Sequence, residues 1–283
     1  MIVYLNGQFL PQDQAHISVN DRGFIFGDGI YEVTRVVRGK PFRMADHMNR
    51  LRAGLRGISI NVPEEVLAAI PDLHHEIITR NNLSGSDATV YLQITRGAAP
   101  VRTHFFPTSE VPPTIFISAA AFAPATESLR RGVDAISVPD VRWQRCNLKT
   151  VNLLPNVLAR QQARDAGVDT ALMRRDGVYT ESPNANIFAV IEGIIRTYPL
   201  TNHILQGVTR NAVMEFIARR GLPICEFPIH ESELFSASEV FLTSTMTDVQ
   251  AITEVDGKPI GDGHPGPVTQ MLLADLQSAM GTH

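Results

Sequence analysis

A lone lysine, Lys149, stands where an alternating segment gives way to a helix, in the run Val141-Arg142-Trp143-Gln144-Arg145-Cys146-Asn147-Leu148-Lys149-Thr150-Val151-Asn152-Leu153-Leu154. It is the only lysine between Lys40 and Lys258, and its neighbours Leu148, Val151 and Leu153 are apolar. An amine crowded in this way is a nucleophile toward aldehydes, which suits covalent attachment of a carbonyl-bearing cofactor. The same position also suits a lysine that lays its stem along apolar surface at an element boundary. Asn152 is placed to cap the following helix, and Leu153, Leu154, Val157 and Leu158 would give that helix an apolar face.

Two further stretches offer groups for an anion. In Leu205-Gln206-Gly207-Val208-Thr209-Arg210 a glycine precedes a helix start, where the amides of Val208 and Thr209 could hold a phosphate. In Thr243-Ser244-Thr245-Met246-Thr247 the hydroxyls follow a strand. Taken singly, each reads more safely as a helix cap or a turn. The phosphate-binding pattern G-x-x-x-x-G-K-[ST] does not occur. Glu181 closes a hairpin strand ahead of Ser182-Pro183-Asn184-Ala185-Asn186. A carboxylate there could keep a pyridine nitrogen protonated, or it could be a solvated loop side chain.

The elements that must position these groups read as strands in hairpins with interspersed helices. Asn6-Gly7, Asp176-Gly177, Glu192-Gly193 and Asp256-Gly257 each separate short apolar runs, the pattern of a hairpin turn. Ile30 to Val37 and Ala88 to Thr95 alternate as strands. Ala45 to Gly57 reads as a helix with Arg50 at its middle. Leu67, Ile70, His74 and Ile77 fall at helical spacing, with Pro71 expected to break or kink the pattern. His74 and His75 are expected on a helix surface, since no second ligand pair lies at metal-binding spacing. The loop from Arg96 to Pro113 is long enough to suggest a functional role. Hairpins outnumber regular βα units, so the fold class is α+β. The expected division is a small domain over 1–120, a linker over 121–125 and a larger cofactor-binding domain over 126–283.

Composition narrows the function classes. The 283 residues are 44% hydrophobic and 19% charged, an ordinary globular balance. With 25 basic and 29 acidic residues the net charge is −4, which argues against nucleic acid as main partner. No apolar run is long enough to span a membrane. The first residues lack the basic and apolar pattern of a secretion signal. Cys146 and Cys225 lack metal-ligand spacing; they could form a single disulfide, but two free thiols in a cytoplasmic protein is the simpler reading.

Several motifs taken together resemble the fold type IV pyridoxal-phosphate (PLP) enzymes of aminotransferase class IV, and among them the D-amino acid transaminases. They are Asp21-Arg22-Gly23 with Phe26-Gly27-Asp28-Gly29-Ile30-Tyr31-Glu32, His47-Met48-Asn49-Arg50-Leu51, Thr95-Arg96-Gly97, and Arg102-Thr103-His104. Arg145-Cys146-Asn147-Leu148-Lys149-Thr150-Val151-Asn152-Leu153-Leu154, Ile204 to Arg210, and Thr243-Ser244-Thr245 complete the set. Their order along nearly the whole chain carries the resemblance.

The resemblance implies a two-domain PLP enzyme in which Lys149 binds the cofactor covalently and later moves the proton. Glu181 would pair with the pyridine nitrogen. Arg50, Val208, Thr209, Ser244 and Thr245 would hold the phosphate, and Leu205 would pack on the ring. Tyr31, Arg102 and His104 would recognise the substrate carboxylate, the last two from a loop that reaches in from a second subunit. It thus implies a homodimer acting on D-amino acids and 2-oxo acids by a ping-pong mechanism. Branched-chain L-amino acid transaminase and aminodeoxychorismate lyase share the fold and are alternatives; a non-catalytic phosphate-binding protein is another. Three departures stand out: Ser182-Pro183-Asn184-Ala185-Asn186 in place of a glycine and several serines, an extra residue between Gly97 and Arg102, and Met246 in place of a small polar residue.

Overall fold

The computed structural model describes residues 1–108 and 110–281, leaving Ser109 of the long loop and the last two residues outside the description. The chain divides into two compact units. The first is Met1–Ala123 together with Leu148–Asn152, and the second is Pro124–Asn147 together with Leu153–His283. A division into contiguous ranges leaves out the short stretch around Lys149, which belongs with the first unit.

The first unit contains β1 (Ile2–Leu5), β2 (Gln8–Pro11), α1 (Arg22–Phe26), β3 (Gly29–Val37), β4 (Lys40–Pro41), α2 (Met44–Gly57), α3 (Glu64–Arg80), β5 (Ala88–Thr95) and β6 (Thr114–Ala121). Its six strands form an antiparallel sheet in the order β2-β1-β6-β5-β3-β4. Asn6 and Gly7 turn the first hairpin with positive φ at both residues, the geometry an Asn-Gly pair favours. On β3 the side chains of Ile30 and Glu32 share one face, and Tyr31 takes the other. Ile30 packs against Gly54 of α2, so Glu32 is aimed at the same helix. Ile30, Leu51, Leu55, Ile70, Ile77, Leu92 and Ile94 form the core.

Helix α3 runs unbroken through Pro71. Pro71 cannot donate to the Leu67 carbonyl, a loss of about 3 kcal/mol or more in a helix interior. The helix persists because Leu67, Ile70, Ile77 and Ile78 bury a stripe on both sides of it. His74 lies on that stripe and is buried, contrary to the expected surface position, with its Nδ1 2.9 Å from the Ile70 carbonyl.

The second unit contains α4 (Thr126–Arg131), β7 (Val133–Pro139), α5 (Leu154–Asp165), β8 (Thr170–Arg175), β9 (Val178–Tyr179), β10 (Glu181–Ser182), β11 (Ala185–Ile191) and β12 (Ile194–Thr197). It continues with α6 (Val208–Arg219), β13 (Ile224–Glu226), β14 (Ile229–His230), β15 (Glu239–Ser244), β16 (Asp248–Val255), β17 (Lys258–Pro259) and α7 (Pro267–Met280). The sheet order is β13-β12-β11-β15-β16-β7-β8-β9-β14, with β10 on β11 and β17 on β16. Most pairs are antiparallel, while β12–β13, β16–β7 and β7–β8 are parallel. Segregated helices on a mixed sheet give the α+β class.

Helix α5 has no side-chain cap: Leu153 is its N-cap residue, and Asn152 instead donates to the Gly27 carbonyl at 3.0 Å. The stripe of Leu154, Val157 and Leu158 is exposed, and α5 buries Ala159 and Ala163.

Candidate active site

Lys149 is positioned by backbone pairing. The Tyr31 amide donates to the Lys149 carbonyl at 3.0 Å, and the Val151 amide donates to the Gly29 carbonyl at 3.1 Å. This lays residues 149–151 along the entry of β3. Leu148 fixes one end by packing on Gly57 of α2. Asn152 fixes the other by lying on Gly27, where φ is +67° and a Cβ would strike the Asn152 side chain. The amine of Lys149 sits 4.1 Å from the centre of the Tyr31 ring, a cation–π distance. Tyr31 in turn stacks on Tyr91 at 5.7 Å. The structure thus brings Lys149 and Tyr31 together.

Arg50 lies one helical turn beyond His47 on α2, and both reach Glu32. Arg50 donates to the two carboxylate oxygens at 2.8 and 2.7 Å, and His47 Nδ1 stands 2.8 Å from one of them. Burial works to raise the Glu32 carboxyl, but the Arg50 charge and the hydrogen bonds from Arg50 and His47 outweigh it and hold the pKa at about 2. Burial lowers the His47 imidazole, against the pull of Glu32. Glu32 and His47 gained no role from sequence reasoning. The signal was a carboxylate facing inward from a strand and two donors at i, i+3 on the next helix.

Arg102 and His104 meet at one aromatic ring. The Arg102 guanidinium is 5.0 Å from the centre of Phe26, and the His104 ring is 5.5 Å from it. Both side chains are exposed, so their cationic and donor groups face outward from the first unit.

In the second unit Glu181 is buried among hydrogen-bonding partners. Arg142 contacts its Oε1, while Asn186 and the Leu205 amide donate to Oε2 at 3.0 and 3.2 Å. Arg142 is itself gripped by Asp140 at 2.9 and 2.7 Å, and Thr180 donates to Asp140 at 2.7 Å. Burial pushes the Glu181 carboxyl above its usual range, with Arg142 pulling the other way. Glu181 is therefore a seated, buried group and not a solvated loop residue.

Asn186 ties this carboxylate to the start of α6. It stands opposite Glu181 across the β10–β11 pair, and its amide also donates to the Leu205 carbonyl at 2.8 Å. Its Oδ1 occupies the space that a Cβ at Gly207 would need, which restricts that position to glycine. Helix α6 then begins at Val208 with no side-chain cap and no acidic residue in its first turn. Such a start favours an anion. Asn186 also faces Thr243 on β15, the strand that leads to Ser244 and Thr245. Thr243 Oγ1 is buried and has no hydrogen-bond partner among the described residues. Ser244 closes the turn after β15 by accepting from the amides of Met246 and Thr247 at 3.2 and 3.1 Å.

Asn186 thus meets Glu181, Leu205 and Gly207, and stands opposite Thr243 in the register. Arg142, Asp140 and Asn186 went unassigned in the sequence, although Asn186 ends the departing stretch after Glu181. Ser182, in the same stretch, turns inward to Thr170 at 3.1 Å. Among the described residues no group of three His, Cys, Asp or Glu side chains is placed to hold a metal ion, and no helix is long and apolar enough to cross a membrane.

Residues 29–255 match the family described as amino-transferase class IV. The chain belongs to class IV aminotransferases. The match takes in parts of both units, with Lys149, Glu32, Arg50 and Glu181 inside it. This aminotransferase is 37% identical to the D-alanine aminotransferase of Staphylococcus haemolyticus over 270 residues, 95% of this chain and 94% of that one. It is 36% identical to the D-alanine aminotransferase of Bacillus licheniformis over 282 residues, 99% and 97% of the two chains. Its fold is similar to that of the branched-chain aminotransferase from Thermoproteus uzoniensis with norvaline, with a TM-score of 0.85 and 27% identity, covering 100% of this chain and 96% of that one. It is similar also to a T.th. branched-chain amino acid aminotransferase with pyridoxamine 5'-phosphate, with a TM-score of 0.87 and 25% identity, covering 100% and 95%.

Proposed function

We propose that this class IV aminotransferase uses PLP to move amino groups between D-amino acids and 2-oxo acids such as 2-oxoglutarate and pyruvate, by a ping-pong mechanism. The observation that carries the reading is the near full-length likeness to D-alanine aminotransferases. The donor set fits the cofactor: an amine beside an aromatic ring, a buried carboxylate for a ring nitrogen, and an uncapped helix start with an orphaned threonine hydroxyl nearby for a phosphate. When bound, PLP supplies an aldehyde carbon and a ring that takes up electrons released at the substrate Cα.

In this reading Lys149 holds the cofactor and then takes and returns the proton at Cα. Glu181, kept in place by Asn186 and Arg142, keeps the ring nitrogen protonated. Arg50, Val208, Thr209, Ser244 and Thr245 hold the phosphate, and Leu205 lies on the ring. Tyr31, Arg102 and His104 read the substrate carboxylate, with arginine supplying a forked charge and imidazole a further donor.

We place the loop of Arg102 and His104 at the active site of a second copy, in a cytoplasmic homodimer. Val101, Phe105 and Phe106 support this, being 68%, 82% and 61% exposed beside those two residues. Large apolar side chains exposed together mark an interaction surface.

The branched-chain fold neighbours favour L-amino acid transamination as a second reading. A panel of D-alanine, D-glutamate and L-leucine, each with 2-oxoglutarate or pyruvate, separates the two. Turnover of the D-amino acids is expected; turnover of L-leucine alone would replace the first reading with the second. A purified protein that is colourless and cannot be reconstituted with PLP would overturn both.

A further inference from the structure

The long loop from Arg96 to Pro113 is fastened at its stems and along its length. Thr95 ends β5 and Thr114 begins β6, and both hydroxyls donate to one oxygen of Asp21, at 2.9 and 2.6 Å. The other Asp21 oxygen accepts from the Gly23 amide at 2.8 Å and so caps α1. One carboxylate thus closes the mouth of the loop and starts the helix beneath it.

Arg22, the next residue, is 4% exposed. Its Nε donates to Asp28 at 2.9 Å. Its Nη1 donates to the Thr103 carbonyl at 2.7 Å and to the Phe105 carbonyl at 3.3 Å. Those carbonyls flank His104. Asp28 is shared with Arg96, which donates to it at 2.8 and 2.9 Å and lies 3.7 Å from the centre of the Phe106 ring. Phe26 is four residues after Arg22 and so lies on the same side of α1. The Arg22 guanidinium stands 4.7 Å from the centre of that ring, the ring that Arg102 and His104 also meet.

We infer that Arg22 is a positioning residue for substrate carboxylate recognition: it fixes the backbone on both sides of His104 so that Arg102 and His104 are presented together on Phe26. The inference rests on the reading of Arg102 and His104 as the carboxylate receptor. Arg22 sets one edge of its guanidinium on Asp28 and the other on the two carbonyls, a bridge that needs a planar fork. A lysine would keep a positive charge beside Asp28 but supplies a single point of attachment. Without the bridge the loop keeps its stems and Phe106 contact yet loses the definition of residues 103–105. Recognition of one carboxylate by two side chains is sensitive to such a loss, because both must converge on the same group.

The test uses the holoenzyme, with Arg22→Lys as the main variant because it retains the counter-charge for Asp28, and Arg22→Ala beside it. Arg22→Lys is expected to raise KM for D-alanine and 2-oxoglutarate roughly ten-fold, the scale of one lost charge-assisted hydrogen bond. The kcat should change little and PLP should survive dialysis as in the parent. Trypsin should cut after Arg102 faster than in the parent. Arg22→Lys combined with Arg102→Leu should be no worse than Arg102→Leu alone, since the two would act through one receptor. An unchanged KM in Arg22→Lys, or additive losses in the double variant, overturns the positioning role. If Arg102→Leu itself leaves KM unchanged, the receptor reading falls and the inference with it; if Arg102→Leu raises KM while Arg22→Lys does not, only the inference falls.

Discussion

The Glu32 carboxylate takes both prongs of the Arg50 guanidinium, with His47 on the same oxygen as one prong. Glu32 is nearly fully buried, so this pair is screened little by salt. Its carboxyl is held at about 2 against an ordinary 4.5. A lowered acid contributes stability that is complete above the ordinary value and is lost as pH falls through the lowered one. The expected loss between pH 4.5 and 2 is about 3 kcal/mol. Glu32→Gln should remove that part of the acid dependence and be less stable at pH 7, because Arg50, half-buried beside it, loses the charge of Glu32. Urea unfolding of both proteins from about pH 7 to pH 3 checks this; equal slopes against pH would contradict it.

His74 gives a separate window. Burial lowers its imidazole from 6.5 to about 4, against the hydrogen bond to Ile70. The unfolded chain takes up a proton at this position first, so stability should fall as pH drops from 6.5 to about 4. His74→Gln should flatten the profile there while leaving the more acidic Glu32 window intact. The same unfolding series reads both effects.

Lys149→Ala should abolish turnover with little change in folding, since the variant keeps the backbone bonds that join this segment to Gly29 and Tyr31. The missing group is the amine. Borohydride treatment of the parent followed by mass spectrometry should find the pyridoxyl adduct on Lys149. An adduct on Lys40 or Lys258 would refute the assignment.

Glu181→Gln should retain the cofactor and slow proton transfer. Glutamine can still accept from Asn186 and the Leu205 amide, but it carries no charge to stabilise a protonated ring nitrogen. Single-turnover rates equal to the parent's would rule out that role.

Arg50→Ala should release PLP during dialysis, and inorganic phosphate should compete with PLP when the apo-protein is reconstituted. Arginine clamps phosphate oxygens through a fork, and a helix start adds fixed partial positive charge. Retention as tight as in the parent would make Arg50 a structural residue of α2 and refute its phosphate role.

Much of this was readable in the chain. The hairpins announced themselves through Asn-Gly and Asp-Gly pairs, because few other residues accept positive φ at a two-residue turn. Lys149 stood out because lysine is so sparse. Arg102 and His104 were visible as a motif, but their meeting point on Phe26 was not, since that ring lies on a different element. The same limit hid Arg142, which reaches Glu181 from 39 residues earlier, and Asp140, which grips Arg142. Asn186 is near Glu181 in sequence, but only the pairing register turns it toward that carboxylate and the start of α6. Asn152 illustrates a local signal overruled by a distant partner. It has the chemistry of a helix cap, yet the Gly27 carbonyl, 125 residues earlier, claims its amide. His74 could have been placed correctly, because it shares the i, i+4 row of Ile70 and lies between buried residues.

Leu148–Asn152 belongs to the first unit, although the chain on either side of it builds the second. During synthesis all six strands of the first sheet leave the ribosome well before this segment does. The Tyr31 amide must then wait for the Lys149 carbonyl while the start of the second unit is being made, and an unpaired amide at a buried strand is costly. Domains whose parts are contiguous can complete themselves one after another as they emerge. This chain is denied that order: the first unit is finished by a pentapeptide that arrives late. A gene cut after Ala123 would encode the sheet and its helices, but neither Lys149 nor the backbone that closes the edge at Tyr31.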